Sequence, residues 1–200
     1  MKLLIATRNP GKLKEFQQIL KSLDFKLLSL DQIKTLPQDF DIPETGQTFK
    51  ANAILKAKAY GEKTQLMTVA DDSGLMIDYL NGQPGVHSSR FAQGDHQAAM
   101  QKILKSLTSL PRSKRTAKFV SVLALYNPQT KKITLFTGES HGWIASKPQG
   151  QTGFGYDPIF FSKDLNKTYG QATNQEKNQV SHRAQALKKL KVFLSQLPIE

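Results

Sequence analysis

The sequence predicts an α/β protein with a mixed β-sheet. Three observations carry this. Apolar residues recur at helical spacing in four separated stretches, and short apolar runs with strand character lie between them. Helices and strands alternate over the first half of the chain, whereas the second half brings consecutive strands joined by turn residues. At 200 residues, with no cysteine, the chain is long enough to bury a core without disulfides or a Cys-bound metal. A single domain over residues 1–200 is expected.

Taken in order, Leu3–Ala6 is a short buried strand, and Thr7-Arg8-Asn9-Pro10-Gly11 is the loop after it. Lys12–Leu23 is a helix, because Leu13, Phe16, Ile19, Leu20 and Leu23 share one face. Phe49–Tyr60 is a second helix, with Thr48 placed to cap it. Leu66–Ala70 and Leu75–Tyr79 are strands flanking an expected turn, Asp71-Asp72-Ser73-Gly74. Pro84-Gly85 interrupts the chain. Met100, Ile103, Leu104 and Leu107 form the apolar face of a helix over His96–Leu107. Phe119–Tyr126 and Ile133–Thr137 flank Asn127-Pro128-Gln129-Thr130 as a hairpin, which Trp143–Ala145 extends. Pro148–Gly155 is a loop, Ile159–Phe161 a strand, and Ser181–Leu197 the last helix. No internal repeat is present.

The net charge is +12, unevenly spread: +4 over residues 1–60, −3 over 61–100 and +11 over 101–200. A basic chain with an acidic centre suits an anionic ligand and a small metal site, and also a plain nucleic-acid binder. No apolar run reaches the ~18–20 residues of a membrane span, and the first residues are too briefly apolar for a signal peptide. A cytoplasmic location is expected.

Four constellations can carry chemistry. The first is the loop from Thr7 to Lys12. A loop that opens a helix presents unpaired N–H groups to an anion. Arg8 and Lys12 add charge, Thr7 and Asn9 add hydrogen-bonding groups, and Pro10-Gly11 leads into the helix. The spacing is not that of a Walker A loop. The second is the acidic pair Asp71-Asp72 with Ser73. Neighbouring strand residues face opposite ways, so one of the pair serves any given site. Mg²⁺ takes one or two carboxylates and completes its shell with water and phosphate. Glu44 is the candidate second carboxylate, and Asn52 and Lys56 share one helix face that can join it. The third is Gly153-Phe154-Gly155-Tyr156-Asp157, where glycines around aromatic rings suit stacking on a base. The fourth is Lys177 with Ser181-His182-Arg183, where Ser181 is a natural N-cap and His182 and Arg183 offer donors. Each motif alone also has an ordinary reading as a turn, a packed loop or a solvated helix end.

In this order the motifs resemble the inosine triphosphate pyrophosphatase family, over nearly the whole chain. They are Thr7-Arg8-Asn9-Pro10-Gly11-Lys12, Pro43-Glu44-Thr45-Gly46, Asn52 to Ala57, Ala70 to Leu75, Pro84-Gly85-Val86, Gly153 to Phe160 and Ser181-His182-Arg183. The resemblance implies an elongated mixed sheet with flanking helices and two lobes around a central nucleotide-binding cleft. It also implies a homodimer and one Mg²⁺ per subunit, replaceable by Mn²⁺. The implied reaction is hydrolysis of inosine, deoxyinosine and xanthosine triphosphates to monophosphate and pyrophosphate. By the family pattern Glu44 and Asp72 hold the metal, and Asp72 is the proton acceptor. Thr7 to Lys12, Asn52, Lys56 and Ser73 contact the substrate, as do Phe154, Gly155, Tyr156, Asp157, Lys177, His182 and Arg183. Departures are Ser89 where alanine is usual, Ala99 where asparagine is expected, and a less acidic stretch before Lys177. The alternatives are a pyrophosphatase for other modified nucleotides and a basic nucleic-acid-binding module. The acidic centre speaks against the latter, so no specific nucleic-acid partner is expected.

Overall fold

A computed structural model describes residues 1–37 and 39–197. The elements are β1 (Lys2–Ala6), α1 (Pro10–Leu20), β2 (Lys26–Ser29), α2 (Phe49–Thr64), β3 (Met67–Ile77) and α3 (His96–Ser106). They continue with β4 (Thr116–Asn127), β5 (Lys132–Ile144), β6 (Phe160–Ser162), β7 (Lys167–Thr168), α4 (Asn174–Val180) and α5 (His182–Ser195). The strands form one mixed sheet in the order β2-β1-β3-β4-β5-β6-β7. β1 runs parallel to β2 and to β3, with Leu4 opposite both Leu28 and Thr68. β6 is antiparallel to both β5 and β7.

The chain divides into two compact units. The first comprises Met1–Asp72, Ser121–Thr137 and Ala186–Glu200. Its core joins Leu3 and Ile5 of β1, Phe16 and Leu20 of α1, Val69 of β3, Leu123 and Leu125 of β4, and Leu187, Leu190 and Leu194 of α5. α2 buries Ala53, Ala57 and Gly61 together with Phe49 and Tyr60. A Cβ at Gly61 would stand 2.4 Å from the Tyr126 ring of β4, so only glycine lets the helix approach that strand. The second unit comprises Ser73–Val120 and Gly138–Gln185. Its core gathers Leu75 and Ile77 of β3, Ile103 of α3, Phe119 of β4, Ile144 of β5, and Tyr156, Phe160 and Tyr169.

The α/β class and the mixed sheet follow the sequence expectation, and several boundaries differ. α1 starts two residues early: Pro10 occupies its first position and the Asn9 side chain accepts from Lys12 N. This is the arrangement in which proline's missing N–H costs nothing. The Asp71–Gly74 turn does not form. β3 runs straight through it, because both carboxylates find partners in the interior and Leu75 N donates to Ser88 Oγ at 3.0 Å. β4 and β5 are longer than expected, and the second reaches through Trp143 to Ile144. The expected last helix begins one residue later, at His182, after a further helix, α4. α4 opens with a capping box in which Thr173 and Glu176 satisfy each other's backbone N–H groups. Ser181 lies extended between the two helices, and its Oγ accepts from Ala184 N.

Candidate active site

In the first unit the candidate residues gather where β1 and β3 meet helix starts. Asn9 caps α1 and positions the turn from Thr7 to Lys12, with Thr7 Oγ1 accepting from Asn9 N at 3.1 Å. Gly11 lies in the first turn of α1. Lys12 reaches Asp71, Nζ to Oδ2 2.8 Å, and Ser121 Oγ of β4 donates to the other Asp71 oxygen at 2.6 Å. Asp72, next along the strand, faces the other way. Its Oδ2 accepts from Asn52 Nδ2 of α2 at 3.0 Å. Asn52 is fully buried, and its own oxygen accepts from Gly46 N at 2.7 Å. A Cβ on Gly46 would fall 2.6 Å from that oxygen, so a side chain there would displace Asn52.

Lys56 lies one helical turn beyond Asn52. Its ammonium sits 2.5 Å from Glu44 Oε1, 2.9 Å from the Asp71 carbonyl oxygen and 3.8 Å from Asp72 Oδ1. Glu44 and Asp72, 28 residues apart in sequence, therefore share one cation. Burial pushes the Asp72 carboxyl above the usual carboxylate range; Lys56 pulls it down, Glu44 pushes it up, and Lys12 and the Asn52 hydrogen bond pull it down. Arg8 departs from the cluster. Its guanidinium donates to the Phe40 carbonyl at 2.9 Å and lies 3.8 Å from Asp31, tying down the segment that Tyr60 also holds.

The second unit holds a different kind of cluster. Asp157 Oδ2 accepts from Lys177 Nζ at 2.7 Å and from Phe154 N at 2.8 Å, and both side chains of the ion pair are almost wholly buried. Gly153, at φ +83°, makes this turn possible, since a Cβ there would overlap the Asp157 carboxylate. Lys177 Nζ lies 4.5 Å from the Phe154 ring centre and the Arg183 guanidinium 5.6 Å from it. Arg183 donates to Ser73 Oγ at 2.7 Å. His182 stacks on Phe119, with ring centres 4.7 Å apart and planes 9° apart. Gly155 has φ +62°. Tyr156 is turned inward: its ring is 3% exposed, its hydroxyl donates to Ser88 O at 2.8 Å, and burial pushes that hydroxyl up to about 12.

In the first unit Glu44, Asn52, Lys56 and Asp72 come together beside Lys12 and Asp71, and in the second Phe154, Asp157, Lys177, Arg183 and Ser73 do, whereas Arg8 and Tyr156 turn elsewhere and His182 lies on Phe119. Two supporting residues were not singled out from the sequence, Ser121 and Phe119, and Gly46 entered only as part of the Pro43–Gly46 motif. A buried serine inside an apolar strand gives no local signal, and the close approach at Gly46 is a tertiary fact. Among the described residues no three His, Asp or Glu side chains converge as a ready-made metal cage.

In the first unit, carboxylates of β3 and lysines of α1 and α2 lie beside a helix opening, an arrangement of an α/β fold suited to a phosphorylated ligand. The chain belongs to the Ham1 family, whose model matches residues 3–193. A relative named dITP/XTP pyrophosphatase from Bacillus subtilis is 47% identical over 193 residues, covering 96% of both chains. One of the same name from Geobacter sulfurreducens is 43% identical over 201 residues, covering 100% of this chain and 99% of its own. The solved HAM1 protein of Coxiella burnetii superposes with a TM-score of 0.87 at 39% identity, over 98% of this chain and all of its own. The Staphylococcus aureus Ham1 protein gives 0.86 at 38% identity, over 98% of each.

Proposed function

We propose that this chain hydrolyses non-standard purine nucleoside triphosphates (inosine, deoxyinosine and xanthosine triphosphates) to the monophosphate and pyrophosphate. The observation that carries the reading is the gathering of Glu44 and Asp72 on the Lys56 ammonium, with Lys12 on the neighbouring Asp71. The relatives' names supply the substrate class. The triphosphate is a polyanion, and the opening of α1 supplies backbone N–H groups and Lys12 to receive it. Water attacks the α-phosphorus in line and pyrophosphate leaves, a reaction that rests on positioning and fixed positive charge. Asp72 takes the proton of the attacking water. Lys12 and Lys56 offset the charge that grows on the phosphate oxygens. Asn52 holds Asp72 in orientation.

Glu44 and Asp72 fit a magnesium ion: both are hard oxygen donors already drawn to one positive charge, and Mg²⁺ needs only one or two carboxylates. Bound there, Mg²⁺ (or Mn²⁺ in its place) would neutralise phosphate charge. In the second unit, the Phe154 ring with Lys177 beneath it takes the base, and Ser73 lies within the same recognition set. His182 and Arg183 donate to the C6 carbonyl of hypoxanthine or xanthine. Adenine carries an amino donor at that position, so it leaves those donors unpaired. A homodimer acting in the cytoplasm belongs to the same proposal and rests on the family resemblance. Light scattering at twice the 22.3 kDa chain mass is the expected result.

The test is pyrophosphate release with Mg²⁺ from inosine, deoxyinosine and xanthosine triphosphates beside the four standard ribonucleotides. Release from the first three, at least about 100-fold faster in kcat/KM than from ATP, supports the reading. Release of orthophosphate alone, or faster turnover of a modified pyrimidine triphosphate, contradicts it.

A further inference from the structure

Asp71 is the member of the acidic pair to which the proposed chemistry gives no role, yet it is the more deeply placed. Its carboxylate is fully buried and sits between Lys12 Nζ at 2.8 Å and the Ser121 hydroxyl at 2.6 Å; Ser121 is itself fully buried in β4. A buried carboxylate is tolerated only when its charge and lone pairs are matched, and here the match is a lysine in the first turn of α1. A lysine in such a place otherwise spreads its ammonium over many rotamers. An ammonium carries three donors, so a carboxylate on its protein side leaves it able to meet a phosphate oxygen on another. Lys56 differs, because its carboxylate partners are the two candidate metal ligands. Lys12 has a carboxylate that no metal needs.

We propose that Asp71, braced by Ser121, is a positioning residue for the hydrolysis: it fixes the Lys12 ammonium where the triphosphate is received. The inference rests on the reading of Lys12 as a phosphate ligand. It also accounts for two adjacent acids on β3, one directed at the lysine of α1 and the other at Asn52 and Lys56 of α2.

A double-mutant cycle tests it. The value of kcat/KM for inosine triphosphate with Mg²⁺ is measured for D71N, S121A, K12M and the doubles D71N/K12M and S121A/K12M. Expected losses are about 100-fold for K12M, about tenfold for D71N and about threefold for S121A. In the K12M background D71N and S121A each add less than about twofold, because the group they position is gone. Equal losses in both backgrounds overturn the proposal, as does full activity of D71N and S121A beside an impaired K12M. Full activity of K12M itself overturns the phosphate reading of Lys12 and is a separate result. Should D71N not fold, the S121A cycle decides alone, since it replaces one hydroxyl by hydrogen. A purely structural role for Asp71 would lower Tm and kcat/KM alike in both backgrounds.

Discussion

The two candidate clusters solve opposite electrostatic problems. In the first unit Asp71 meets Lys12 while Glu44 and Asp72 share Lys56, and the Asp72 carboxyl is pushed up by burial and by Glu44. In the second unit Asp157 pairs with Lys177, whose ammonium lies near the Phe154 and Tyr169 rings. The first arrangement holds negative charge that a metal and a polyanion would rearrange. The second is already matched, and Asp157 also holds the Phe154 backbone. Stability and activity should therefore respond differently to substitutions in the two places.

The largest effect on activity is expected from Asp72→Asn, which removes the proposed proton acceptor. Turnover should fall by about 10³-fold or more, while Tm stays level or rises, because burial already disfavours the Asp72 charge. A Tm well below the parent's would show that Asp72 supports the fold and would erase the contrast. Asp157→Asn is expected to act on the fold. It leaves the Lys177 ammonium buried without its carboxylate, a loss of about 3–5 kcal/mol, or a drop in Tm on the order of 10 °C. Calorimetry showing less than about 2 °C would mean that the pair contributes little to stability. The smallest effect is at Glu176, a half-buried carboxylate lowered to about 2 by Lys167 and by the Thr173 cap. Its folded value lies below the ordinary 4.5, so its stabilisation is complete above that value and is lost as pH falls toward 2. Glu176→Gln should lower Tm slightly at pH 7, and the gap from the parent should shrink steadily below pH ~4.5. A pH-independent gap would remove the charge from the explanation.

Much of this was legible in the sequence because the signals are local. Pro10 after Asn9, the apolar stripe Leu13–Phe16–Leu20 and the Asn127–Thr130 turn each fix a short stretch by themselves. What was not legible depended on partners distant in the chain. Asp71-Asp72-Ser73-Gly74 has the composition of a turn. It becomes strand because Ser121, 50 residues later, and Asn52, 20 residues earlier, satisfy its carboxylates. β2 has only four residues and no strong alternation, so its pairing with β1 had no signature. α4 did carry a readable signal, Thr173 followed three residues later by Glu176, which the apolar stripe of the following helix obscured. For the site, residue types and spacing were enough to nominate Glu44, Asp72, Lys56 and Lys12. They were not enough to foresee that Arg8 turns to Phe40, or that the Tyr156 ring is packed inward.

The division of labour between triphosphate and base is tested most directly by kcat/KM for inosine triphosphate and for ATP in two variants, Lys56→Met and Arg183→Ala. The account predicts that Lys56→Met lowers both values by the same factor, about 100-fold, leaving their ratio at the parent's value. It predicts that Arg183→Ala reduces the preference for inosine triphosphate by about tenfold or more. A ratio that shifts in Lys56→Met and holds in Arg183→Ala would contradict it.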